Sequence, residues 1–110
     1  PQLVTIMETL DFRFDSAPVS RAADPALCGV VGSGNLEILV QSGDVPNACQ
    51  VRIKTAARGF GDTWRAVLDA FATTHPAGGT RIAINDMGAT PAVVTLRLAQ
   101  ALAEYQGGAQ

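Results

Sequence analysis

Two short β-rich runs, Leu27 to Val31 and Leu36 to Val40, are separated only by Gly32-Ser33-Gly34-Asn35. A link that short joins neighbouring strands as an antiparallel hairpin, because a parallel pair needs a crossover of a dozen residues or more. Glycine and asparagine tolerate the positive φ such turns use. The hairpin therefore sets one small hydroxyl residue, Ser33, between two glycines at its tip, where it is displayed instead of packed.

The rest of the chain builds around that pair. Leu10, Phe12 and Phe14 alternate with Asp11 and Arg13, as expected of a strand with one buried face. Ser16 to Pro25 has two prolines, two serines and no periodicity, and reads as a mobile loop. After the turn cluster Ser42 to Asn47, Cys49, Val51 and Ile53 alternate with Gln50, Arg52 and Lys54. Phe60, Trp64, Val67, Leu68 and Phe71 then fall at helical spacing, with Asp62 or Thr63 to cap the start and an end near Thr74, where His75 precedes Pro76. Arg81 to Asp86 supplies another strand. Thr90-Pro91 pairs an N-cap with proline at the first helical position, ahead of Val94, Leu98, Ala101, Leu102 and Tyr105. The order β-β-β-β-α-β-α predicts an α+β fold: a mostly antiparallel sheet of about five strands with two helices packed on one face, a two-layer sandwich. Residues 7–106 form one domain. Residues 1–6 precede Met7 as a vector scar or an extension, and residues 107–110 fray.

Composition removes several classes. Of 110 residues, 47% are apolar and 16% charged, which favours a folded core with few solubilising groups on its surface. The net charge of −2 and the scattered arginines give no basic patch, so neither nucleic acid nor an anionic membrane is an expected partner. Cys28 and Cys49 lack zinc or thioredoxin spacing and read as buried free thiols, with a disulfide between them left open by sequence. No apolar stretch is long enough to span a membrane and no secretion signal opens the chain, so the expected setting is a reducing cytoplasm.

Catalysis by this chain finds little support. A hydrolase elbow needs glycines two positions either side of the serine, where Val31 and Asn35 stand, and it also needs a base. The one histidine, His75, sits in a loop sequence without an orienting carboxylate and reads as solvated. Gly29, Gly32 and Gly34 match neither phosphate-binding fingerprint. Asp86-Met87-Gly88-Ala89-Thr90-Pro91 reads as strand end, glycine turn and capped helix start, with anion binding at that helix N-terminus as an added role if Thr90 lies near Ser33. Arg58 and Arg65 read as solvated charges and Trp64 as core.

Together, Cys28-Gly29-Val30-Val31-Gly32-Ser33-Gly34-Asn35-Leu36-Glu37-Ile38 and Asn85 to Leu98 closely resemble the acyl carrier (δ) subunit of biotin-independent malonate decarboxylase, and the resemblance runs from about Met7 to Leu102. It implies that Ser33 is joined through a phosphodiester to 2′-(5″-phosphoribosyl)-3′-dephospho-CoA, with Gly32 and Gly34 giving access and turn geometry. It implies a non-catalytic carrier of acetyl and malonyl thioesters. Its partners would be the acetyl-carrier:malonate carrier transferase (α) subunit, the β/γ decarboxylase subunits, a prosthetic-group transferase and a malonyl transferase. No metal is implied. The carrier subunit of citrate lyase is the second reading, and an unmodified interaction domain of the same fold is the third.

Overall fold

The computed structural model describes residues 7–19, 29–33 and 35–107, with the backbone alone at 29–31 and 33. Five strands and two helices follow in the expected order: β1 (Glu8–Asp15), β2 (Gly29–Ser33), β3 (Leu36–Ser42), β4 (Ala48–Thr55), α1 (Gly61–Thr74), β5 (Thr80–Asp86) and α2 (Pro91–Tyr105). They form one sheet in the order β1-β4-β5-β3-β2. Three pairings are antiparallel, and β4 runs parallel to β5 with α1 as the crossover.

Period-two patterning fixes which face is covered. Leu36, Ile38 and Val40 of β3, Cys49, Val51 and Ile53 of β4, and Ile82 and Ile84 of β5 are all buried, while Glu37, Arg52, Lys54, Arg81 and Asn85 face out. Phe14 of β1 is buried, with Leu10 and Phe12 half-buried beside it. Both helices close this face. α2 buries Val94, Leu98, Ala101, Leu102 and Tyr105, the whole predicted stripe; each large apolar side chain among them contributes about 1.5–3 kcal/mol on leaving water. The Tyr105 hydroxyl, at the far end of that stripe, hydrogen-bonds Ser42 Oγ at 2.7 Å.

Four local expectations need correction. Ser33 is the last residue of β2, so the connection is Gly34-Asn35 and not a four-residue tip. Neither Asp62 nor Thr63 caps α1: the cap position is Phe60, with no side-chain hydrogen bond. Phe60 itself is 52% exposed, because it precedes the helix instead of lying on its buried stripe. Residues 16–19 are not a free loop. Ser16 is buried, its Oγ donating to Ala72 O (2.8 Å), with His75 O at 3.1 Å, and accepting from the Ala77 N–H (2.9 Å). Gly78 lies so close to this segment that a Cβ would collide with Ser16 O and Pro46 O. Residues 20–25 of the predicted loop, with Leu27 and Cys28, lie outside the described residues. Cys49 is buried and free. Burial raises its thiol pKa, with the Thr80 hydroxyl opposing the shift.

Candidate functional site

The register places Ser33 at one end of a row that crosses the whole sheet. Ser33 pairs with Leu36, Leu36 with Asp86, Asp86 with Thr55, and Thr55 with Glu8. Two strand spacings separate Ser33 from Asp86, roughly 10 Å between backbones. Among the described residues β2 is an edge strand, so Ser33 ends a strand that has a described neighbour on one side only. Both helices start at this end of the sheet, since each follows the carboxyl end of a parallel strand.

Asp86 organises this end. It is 2% exposed, and its Oδ2 accepts from the Thr55 hydroxyl at 2.8 Å. Its Oδ1 accepts from the Gly88 N–H at 3.2 Å and the Ala89 N–H at 2.8 Å, which folds the chain into a tight turn. Gly88 has φ +112°, a conformation side-chain-bearing residues rarely adopt. Thr90 then caps α2, its Oγ1 accepting from the Val93 N–H at 3.3 Å, with Pro91 in the first turn. The Met87 N–H donates to Asn35 O at 2.9 Å, so this turn is bonded directly to the β2–β3 connection. The two sequence motifs are therefore neighbours in space. The chain's own carboxylate already occupies the N–H groups at 88 and 89, ahead of the helix.

The residues singled out in the sequence separate on inspection. Gly32 is extended in β2 opposite Glu37, with nothing within 4 Å of an added Cβ and no positive φ. Its place supports access but not a special turn geometry; Gly34 lies outside the described residues. His75 is not simply solvated: its ring stacks on Phe71 at 4.8 Å and Nδ1 lies 3.0 Å from Thr74 Oγ1. Arg65 is exposed and lies over the Phe12 ring at 4.9 Å, a cation–π contact. Arg58 is exposed. Trp64 is core, as expected, at 6% exposure, yet its ring also borders a cleft that sequence reasoning missed. This cleft, about 320 Å³, opens between the starts of α1 and α2 and is walled by Phe60, Trp64, Val67, Ala89, Pro91 and Val94, with Asp86 among its lining. The sequence signal for it was Phe60, an aromatic one residue ahead of the helix.

Among the described residues no helix is long and apolar enough to cross a membrane. The family model for the malonate decarboxylase delta subunit (MdcD), an acyl carrier protein family, matches residues 23–105. The malonate decarboxylase acyl carrier protein of Xanthomonas euvesicatoria pv. vesicatoria (strain 85-10) is 58% identical over 102 residues, covering 92% of this chain and 97% of the relative. That of Acinetobacter calcoaceticus is 50% identical over 101 residues, 92% of this chain and 99% of the relative. A chain in the crystal structure of a Pseudomonas malonate decarboxylase hetero-tetramer in complex with malonate superposes with a TM-score of 0.72 at 36% identity, covering 90% of this chain and 99% of that one. Fold, paired motifs and near full-length identity agree, and the chain belongs to the malonate decarboxylase acyl carrier (delta subunit) family.

Proposed function

We infer that this chain is the acyl carrier subunit of a malonate decarboxylase and that Ser33 is its attachment residue, joined through a phosphodiester to 2′-(5″-phosphoribosyl)-3′-dephospho-CoA. The observation that carries the assignment is the place of Ser33 at the open end of an edge strand, beside a glycine with free space around it, in a chain of this family. An enzyme that attaches a large group needs a hydroxyl it can reach, on backbone that yields or stands clear. When bound, the group supplies a thiol that holds acetyl or malonyl as a thioester, whose carbonyl spreads the charge of decarboxylation better than free malonate does.

The chain's own residues support and present that arm. The Met87–Asn35 hydrogen bond and the Asp86 turn hold the hairpin connection against the start of α2, so the attachment point rests on a rigid sheet end. Acyl exchange and decarboxylation fall to partners: the transferase (α) subunit and the β/γ decarboxylase subunits, with a prosthetic-group transferase and a malonyl transferase loading the arm. The reading is tested by intact mass after treatment with the prosthetic-group transferase and its substrate. The wild-type chain gains the mass of the arm, and Ser33→Ala, with the same circular dichroism and melting curve, gains nothing. Mass gain by the Ala variant would overturn it.

A further inference from the structure

We propose that the cleft between the starts of α1 and α2 is a resting site for the thiol end of the carrier's own arm, and that it takes the free thiol or acetyl form and rejects the malonyl form. The proposal deepens the assignment of Ser33 and rests on it.

Position comes first. The cleft lies at the same end of the sheet as Ser33, two strand spacings away along the row through Leu36 and Asp86, and the Met87–Asn35 hydrogen bond joins its border to the hairpin. An arm long enough to reach into other subunits is long enough to double back over this distance. Two of the three large apolar side chains exposed among the described residues, Phe60 at 52% and Met87 at 57%, stand at this end. Binding sites of small molecules are concave and mostly apolar, as this cleft is.

Size and charge then select the occupant. About 320 Å³ is at the lower limit of the ~300–1,000 Å³ typical of small-molecule pockets, which suits the slender pantetheine end and not the nucleotide. The lining contains no lysine, arginine or histidine, and its one charged residue, Asp86, is an acid whose oxygens are bonded to Thr55 and to the N–H groups at 88 and 89, so the arm's phosphates find no counter-charge there. Arg58, on the loop before α1, is exposed and is not part of the lining. What remains is a neutral chain with amides. Thr63 lines the same cleft and is the one hydroxyl-bearing residue in that lining. An acetyl group keeps the tip neutral. A malonyl group adds a carboxylate, which would give up water to enter a mostly apolar cleft whose lining holds no cation to pair with it, and this weakens binding by about tenfold or more. The charge of the malonyl group thus releases the arm towards the partners.

The chain contains one tryptophan, Trp64, and it forms part of the cleft wall. Its emission is therefore the direct readout. Carrier loaded with the acetyl arm should differ in Trp64 emission from the apo chain, and malonyl-loaded carrier should show about a third of that difference. The second readout is cleavage of the thioester by hydroxylamine, followed by intact mass. A tether that gives about 4 mM effective concentration against a free-ligand Kd of about 1 mM keeps the arm docked four-fifths of the time and slows cleavage about fivefold relative to the urea-unfolded carrier. Malonyl carrier, bound about tenfold more weakly, should show less than about twofold protection. Phe60→Ala and Thr63→Phe change exposed positions, the first removing a wall and the second filling the space. Both should accept the arm at Ser33 at the wild-type rate and lose the acetyl-specific protection. Free S-acetylpantetheine titrated into the apo chain should reproduce the Trp64 change, which tests the cleft without any arm at Ser33. Equal cleavage of folded and unfolded acetyl carrier, or full protection in both variants, would overturn the resting site while leaving the Ser33 assignment standing. A chain that binds S-acetylpantetheine but gains no arm would overturn the Ser33 assignment and, with it, the arm as occupant.

Discussion

Removing the carboxylate of Asp86 should destabilise the chain through a small set of identifiable bonds. In Asp86→Ala the buried Thr55 hydroxyl loses its 2.8 Å partner and keeps only the long contact to Ala57 O at 3.4 Å, and the Gly88 and Ala89 N–H groups lose theirs. A hydrogen bond to a charged group contributes about 1.5–3 kcal/mol, and a buried donor left unpaired costs about as much. The Thr55 bond is fully buried and takes the middle of that range, about 2 kcal/mol. The two N–H groups are only partly buried, so water replaces much of what they lose, and they add about 0.5 kcal/mol each. The sum, about 3 kcal/mol, is a large part of the 5–15 kcal/mol expected for a domain, and it lowers Tm by about 12 °C at this chain length. Urea unfolding followed by Trp64 fluorescence and by circular dichroism measures it. Asp86→Asn keeps an acceptor for both N–H groups and should cost about 1 kcal/mol. A double-mutant cycle with Thr55→Val should return a coupling of at least about 1 kcal/mol, since the two side chains touch. A loss below about 1 kcal/mol in Asp86→Ala, or no coupling to Thr55, would show that this row of the sheet is held by apolar packing alone.

Three further outcomes follow from single positions. Gly78→Ala places a methyl group against Ser16 O and Pro46 O, both backbone atoms that cannot step aside, so it should lower stability by about 2–4 kcal/mol in the same urea assay; an unchanged midpoint would refute that contact. A Cβ added at Gly32 meets no atom within 4 Å, and Gly32→Val replaces glycine in a strand with a strand former, so Tm should shift by less than about 3 °C while attachment of the arm slows severalfold; wild-type loading would show that access at 32 is not limiting. Cys49, buried and with its thiol pKa raised by desolvation, should resist iodoacetamide at pH 8 in the folded chain and react in urea, as read by peptide mapping; rapid labelling under native conditions would contradict its burial.

Periodicity alone determined most of the scaffold. The alternation at Cys49, Val51 and Ile53 and the stripe from Val94 to Tyr105 were legible because strand and helix periods are set by backbone geometry, and each buried position recurs where that geometry returns it to the core face. The Thr90-Pro91 start of α2 was legible for the same reason, since its capping needs nothing beyond three neighbouring residues. Ends set by distant partners were not legible. Phe60 fits the stripe of α1 by spacing and stands outside it in space, because where α1 begins depends on how the turn after β4 packs. Ser16 looked like loop, and became core, because its partners Ala72, His75 and Ala77 lie 56 or more residues away. The candidate site divides along the same line. Ser33 and the Asp86 to Pro91 turn were visible as separate motifs, but their meeting depends on the order of strands in the sheet, β5 beside β3 and β3 beside β2. A linear pattern carries which residues face the core; strand order is decided by long-range packing, and it alone brings Ser33, Asp86 and the cleft to one end of the sheet.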